Sequence, residues 1–197
     1  MSRLITNSIR STSASADAIT LDGSGNATFP ANVTCSGTAA GFGGGKVLQV
    51  IQTTKTSKTS ITSQTSFADI PGMSATITPS ATSSKILVQF TLSTSTTGYF
   101  AVNLLRGSTD IFLGDTDGSR QRCTIGASRQ SHALSVHQSG TTYLDSPSTT
   151  SATTYKLQTA SPWDASYHMV INGTTSSDNG TWVMNGTSTI TLMEVSA

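Results

Sequence analysis

The sequence predicts an all-β protein, and three observations lead there. Thr and Ser number 35 and 32 of the 197 residues, so about a third of the chain carries an aliphatic hydroxyl. There is a single Glu, and charged residues make up 11% of the chain, less than half the usual share of a soluble protein. The Glu, Lys, Leu and Ala from which surface helices are built are therefore scarce. The remaining apolar residues recur with a period of two between turn residues, as in half-buried strands, and no long stretch shows a capped helical period. That patterning also argues against a wholly disordered hydroxyl-rich chain.

The expected architecture is a short extended N-terminal stalk, residues 1–45, followed by a β-sandwich (jelly-roll) head, residues 46–197. The first forty residues are small and polar, with few bulky side chains. Ala18–Asp22 reads as extended, Gly23–Asn26 as a turn, and Ala27–Pro30 and Asn32–Cys35 as two more short extended pieces. Pro30 fits a strand end. So few apolar side chains cannot offset an ordering entropy of roughly 1–2 kcal/mol per residue. The segment is either disordered or completed from outside its own chain, and sister copies are the simplest partner. Intertwining as a homotrimer would place Ile19, Leu21, Phe29 and Val33 in a shared core. The glycine run Gly41-Phe42-Gly43-Gly44-Gly45 reads as a hinge.

Beyond the hinge, strands are expected at Val47–Gln52, at 59–65, and at 67–70 ending on Pro71-Gly72. Ser74–Pro79 and Lys85–Leu92 follow. Tyr99–Arg106 is expected to pair with Asp110–Leu113 across Gly107-Ser108, a hairpin signal. Further candidates are 121–127, 132–138, 141–145, 153–159, 166–172, 181–184 and 188–195. Short strands at such spacing suit a sandwich or jelly roll. Asn172-Gly173, Asn179-Gly180 and Asn185-Gly186 predict type I′ turns. The last strand, Thr187–Val195, is expected beside the opening one, Val47–Gln52.

Composition excludes several functions. A net charge of +1 with scattered Lys and Arg gives no basic surface for nucleic acid. Apolar runs no longer than Ile86-Leu87-Val88 and its like predict no membrane insertion, and the first residues lack the apolar core of a secretory signal. Cys35 and Cys123 do not make a disulfide framework and read as two small reduced thiols. Gly45-Lys46 fails as a phosphate loop, since Ala40 and Val47 occupy positions that need Gly and a hydroxyl. Gly41-Phe42-Gly43 likewise lacks the third glycine and the βαβ setting of a dinucleotide site.

Chemistry is equally scarce. His132, His137 and His168 are the only candidate bases or zinc ligands, and none has a partner at ligand spacing. A triad of Ser135, His137 and Asp145 can be drawn, but Ser135 and His137 lie two apart on a strand, too far to share a proton routinely. Asp115-Thr116-Asp117-Gly118 opens like a calcium loop, yet Gly126 stands where a bidentate acid is needed. No carboxylate pair for glycoside cleavage is marked. No catalytic residue, cofactor or metal is expected, and the chain is not expected to be an enzyme. Of the Asn-x-Ser/Thr triplets at Asn26, Asn32, Asn172, Asn179 and Asn185, about two or three are what a hydroxyl-rich chain produces by chance, and without a signal peptide the glycosylation reading is weak. Trp163, Tyr167 and Trp182 near the C-terminal loops are the candidate receptor contacts, because exposed Trp and Tyr stack on sugars and dominate interfaces. Filling the sandwich core is the alternative.

Residues 18–37, Ala-Ile-Thr-Leu-Asp-Gly-Ser-Gly-Asn-Ala-Thr-Phe-Pro-Ala-Asn-Val-Thr-Cys-Ser-Gly, resemble a repeat element near the start of tailed-bacteriophage fibre and virion proteins, many from phages of marine and cyanobacterial hosts. The Gly41–Gly45 break, the Val47–Thr54 opening, the Ser80–Leu92 segment and Asn103-Leu104-Leu105-Arg106-Gly107-Ser108 are similar to the β-rich head of such proteins. The resemblance implies a homotrimeric tail fibre with a C1q/TNF-like or knob-like jelly-roll head, located on the virion as a tail appendage after synthesis in the host cytoplasm. It implies contacts with other virion proteins through residues 1–45 and adhesion to a host surface glycan or protein. The alternatives are a capsid decoration, cement or head-fibre protein, and a stand-alone carbohydrate-binding module.

Overall fold

The computed structural model describes residues 7–10, 13, 15–24, 26–29, 46–127, 129 and 132–196. The chain forms two compact units, Met1–Gly43 and Gly44–Ala197. Every regular element among the described residues is a strand.

In the first unit, β1 (Ser8–Ile9), β2 (Ile19–Leu21) and β3 (Ala27–Thr28) form an antiparallel meander. Asp22 shapes the turn after β2: its Oδ1 accepts the N–H groups of Ser24 and Asn26 at 2.9 and 2.8 Å, supplying the partners that a short loop lacks. Ile19 is half-buried, while Ile9, Leu21 and Phe29 are exposed. Val33 lies outside the described residues. None of the described side chains of this unit is buried.

The second unit contains β4 (Val47–Lys55), β5 (Thr59–Thr62), β6 (Ala68–Ile77), β7 (Lys85–Thr96), β8 (Phe100–Arg106), β9 (Thr109–Ile111), β10 (Ile125–Ala127), β11 (His137–Asp145), β12 (Thr153–Ala160), β13 (His168–Ile171) and β14 (Ser188–Val195). One edge of β7 pairs with β14 over Lys85–Thr91 and then with β13 over Thr94–Thr96; its other edge pairs with β11. β4 flanks β14 and β5 flanks β13. The first sheet therefore runs β4/β5, β14/β13, β7, β11, and the second β6, β12, β8, β9/β10. All pairings are antiparallel.

Strand alternation builds the core. Ile86, Val88, Phe90 and Leu92 of β7 and Ile190 and Leu192 of β14 meet Met73, Ala75 and Ile77 of β6, Val102 and Leu104 of β8, and Tyr155 and Leu157 of β12. The fold is thus all-β and sandwich-like, with one cluster between two sheets. Each fully buried large side chain contributes roughly 1.5–3 kcal/mol.

Buried polar groups close the ends of this core. Glu194, fully buried on the inward face of β14, accepts Ser80 N–H at 2.7 Å, Ser80 Oγ–H at 2.6 Å and Gln49 Nε2–H at 2.6 Å. Tyr155 Oη donates to Asp145 Oδ2 at 2.6 Å, and Arg106 reaches the same carboxylate at 2.8 and 3.0 Å, tying β11 to β12 and β8. Asn172, buried, donates from Nδ2 to the Lys55 carbonyl at 2.7 Å and accepts from Ser188 Oγ at 2.6 Å.

Several expectations hold and others need correction. The terminal strand β14 does pair with β4, Leu192 opposite Ile51. The expected hairpin forms with Arg106 opposite Thr109, and Gly107 takes φ +60°, as the first turn position of a II′ hairpin requires. The strand expected to stop at Pro71-Gly72 instead continues to Ile77. The β6–β12 register shifts there, and Gly72 adopts φ +79°. β6 lies at the edge of its sheet, where a proline without an N–H is tolerated. Residues 121–124, 132–136 and 181–184 are turns or irregular, not strands.

The three Asn-Gly pairs do not form type I′ turns, which need positive φ at both residues: among them only Asn172 has it, at φ 59°. Their glycines serve close approach instead. A Cβ on Gly173 would meet Lys58 Cδ at 2.9 Å, one on Gly180 would enter the Trp182 indole, and one on Gly186 would strike Ser93.

Candidate binding surfaces

Two exposed surfaces of the second unit stand out from its hydroxyl-covered exterior. The first is an aromatic corner. Tyr99 immediately precedes β8, and Trp163 and Tyr167 lie in the segment between β12 and β13. Tyr99 meets Trp163 edge-on at 6.4 Å and 74°, and Tyr167 at 6.2 Å and 68°, the geometry that aromatic quadrupoles favour. Tyr167 is half-buried, and its ring lies so close over Gly98 that any Cβ there would fall inside it. That contact fixes the buttress behind Tyr99. Tyr99 and Trp163 remain 55% exposed each and, with Phe100, Gly126 and Ala127, line a cleft of about 560 Å³. Asp164, next to Trp163, accepts Ser166 N–H at 2.8 Å, and that bond holds its carboxyl below the ordinary aspartate range.

Of the three aromatics singled out from sequence, Trp163 and Tyr167 are thus brought together through Tyr99, whereas Trp182 stands apart over Gly180. Trp163 and Trp182 are exposed and do not fill the core. In the sequence Tyr99 reads only as the start of a strand. The glycine before it is the available signal, since a glycine under an aromatic ring marks close approach.

The second surface is the outward face of the sheet β4–β14–β7–β11. Opposed residues share a face, so the register aligns Val50, Met193, Leu87 and Leu144 in one row across all four strands. Val50 and Leu144 are 54% and 52% exposed, and Leu48 beside them is also exposed. The next row is Gln52, Thr191, Gln89 and Thr142, and the one after it Thr54, Thr189, Thr91 and Gly140. These polar rows are partly satisfied within the sheet. Gln52 Nε2 donates to Thr191 Oγ1 at 2.8 Å, and the Thr91 and Thr189 hydroxyls lie 3.1 Å apart. A groove of about 350 Å³ passes over Gly140 between Gln89, Thr91, Gln138 and Thr142. In these rows and beside them the one charged side chain is Lys85, which donates to Ser146 Oγ at 2.7 Å. An outward sheet face is ordinarily polar; this one carries an apolar stripe beside uncharged rows.

The conceivable chemical sites do not assemble. Asp145 sits about 26 Å along β11 from His137 and is engaged by Tyr155 and Arg106. His132 Nδ1 accepts Leu134 N–H at 3.2 Å, and His168 Nδ1 lies 3.3 Å from the Thr97 hydroxyl. Burial raises the Cys123 thiol above its ordinary range, away from a reactive thiolate. Asn172, in one of the glycosylation triplets, has its amide fully used inside the protein. Among the described residues there is no group of three metal-ligating side chains, and no helix is long and apolar enough to cross a membrane. Compared with known proteins, the chain matches no family model and no curated relative.

Proposed function

We propose that this chain is a subunit of a homotrimeric bacteriophage tail fibre, with residues 1–45 attaching and trimerising and the head adhering to the host surface. The observation that carries the reading is the row Val50–Met193–Leu87–Leu144 on an outward sheet face. Burying it between sister heads removes apolar area at about 25 cal/mol per Å² without stranding a charge.

The strand order adds support. Numbering the eight strand positions of the second unit along the chain, the sheets read 1-8-3-6 and 2-7-4-5, the double Greek key of a jelly roll. A closed threefold arrangement of such heads repeats one heterologous contact three times and leaves no open surface growing. The exposed Ile9, Leu21 and Phe29 of the first unit are the side chains that trimerisation would cover. Adhesion then works by avidity: weak sites on tethered heads engage together.

Light scattering of the whole protein tests this reading. The expected result is a mass of three chains for the parent and, in Leu144→Asp, a trimer held by residues 1–45 alone that dissociates at a higher protein concentration than the parent's, with circular dichroism unchanged. A monomeric parent protein would overturn it. Electron microscopy of particles, with the chain on tails, distinguishes the fibre from a shell decoration.

A further inference from the structure

We propose that the Tyr99–Trp163 corner is a glycan-binding site for a pyranoside, whose C–H face seats on one of the two exposed rings. This deepens the adhesive reading above and rests on it for its biological use, while the site itself lies within one head. The cleft, about 560 Å³, is of the size that holds small ligands. Its lining is aromatic rings, a glycine and an alanine, with no branched aliphatic side chain and no charge. A protein-recognition hollow would offer methyl groups to a partner's apolar anchor. Flat π faces over a bare backbone floor suit instead a ring that is apolar on its faces and polar around its rim. Gly126 keeps that floor open, since nothing lies within 4 Å of where its Cβ would be.

The corner is also preorganised. Tyr167, pressed onto Gly98, supports the Tyr99 edge, and Trp163 stands at 74° to Tyr99, so the two rings present faces steeply inclined to each other. Little side-chain entropy is lost on binding. Trp182 does not line the cleft and takes no part.

The test uses the full chain carrying Trp182→Phe, which leaves Trp163 as the sole tryptophan. It is titrated with methyl β-D-galactopyranoside, methyl β-D-glucopyranoside and methyl α-D-mannopyranoside, followed by Trp fluorescence and by saturation-transfer NMR. The expected result is a saturable blue shift with a millimolar midpoint for at least one sugar. Tyr99→Ala should weaken binding about tenfold, Tyr99→Phe should retain it, and Trp163→Ala should abolish it by NMR. No saturable binding of any of the three sugars overturns the inference, as does binding that Tyr99→Ala and Trp163→Ala leave unchanged. Capture of an aromatic or proline-rich peptide in place of sugar also overturns it. The methyl glycosides are monovalent, so the titration reads one site whatever the assembly, and a failed trimer and a failed sugar site give different results.

Discussion

Glu194 Oε1 accepts two hydrogen bonds from Ser80, one from its N–H at 2.7 Å and one from its hydroxyl at 2.6 Å. The last strand is thereby fastened to the turn that joins β6 to β7, and Gln49 Nε2 adds the Oε2 bond at 2.6 Å and a second bond to the Thr78 carbonyl at 2.7 Å. The chain's single glutamate is spent on a structural joint. Burial pushes its carboxyl up, but the bonds from Gln49, Ser80 and Ser84 outweigh that and bring it to about 2, from an ordinary 4.5. Its contribution is therefore present above pH 4.5 and lost as pH falls through about 2. Glu194→Gln should cost roughly 1.5–3 kcal/mol at neutral pH and flatten the acid limb of stability against pH. Urea melts across the acid range check this, and an unaltered acid limb would contradict it.

The Tyr155–Asp145 contact gives the opposite pH behaviour. Burial, then the Asp145 carboxylate, pushes the Tyr155 phenol above its ordinary range. A raised folded value means that the stability is present below the unfolded pKa of about 10 and declines as pH rises beyond it. Tyr155→Phe should lose roughly 1 kcal/mol at neutral pH and lessen the alkaline decline, read by melting temperature against pH. Equal alkaline decline in both proteins would refute the assignment.

Gly140 lies opposite Thr91 in the β11–β7 ladder. A Cβ there would fall inside the contact radius of the Phe90 carbonyl oxygen, a backbone atom that cannot swing away. Gly140→Ala should destabilise the head by roughly 1–3 kcal/mol, whereas Gly126→Ala, with open space above it, should be nearly neutral in folding. Comparable denaturation midpoints for the two variants would contradict this reading.

Asn172 holds a left-handed backbone, φ 59°, and joins Lys55 to Ser188 through its amide. Asn172→Ala leaves a buried carbonyl and hydroxyl without these partners and strains the backbone, so a loss of roughly 2–3 kcal/mol is expected. Asn172→Gly relieves only the strain and should recover part of it. If the glycine variant is no more stable than the alanine variant by thermal melts, backbone strain is not part of the cost.

Much of this fold is legible in sequence because alternation reports burial directly. The inward set of β7, Ile86, Val88, Phe90 and Leu92, stands out in a chain with few large apolar residues. The Gly107-Ser108 hairpin and the β14–β4 pairing can be read because turn chemistry and strand order constrain them. Pro71-Gly72 reads as a break and is not one, since an edge position makes an interruption survivable and edges are not visible before topology is known. The Asn-Gly turns fail because a glycine needed for close packing looks the same as one needed for positive φ.

The binding surfaces are less legible. Leu87 follows Ile86 and precedes Val88, so apolar residues on both faces of β7 are visible. Only the register shows that Leu87 lines up with Val50, Met193 and Leu144. Trp163 and Tyr167 are found by residue type, while Tyr99, their common neighbour, reaches them from a different turn.

The most direct test of the central claim, self-association through the Val50–Met193–Leu87–Leu144 row, is the solution mass of the full chain and of its Leu144→Asp variant by light scattering. The account predicts three chains for the parent and, for the variant, a folded trimer that falls apart at a higher protein concentration than the parent's, because only residues 1–45 still hold it. A parent that is a monomer, or a variant whose trimer survives dilution as well as the parent's, would contradict it.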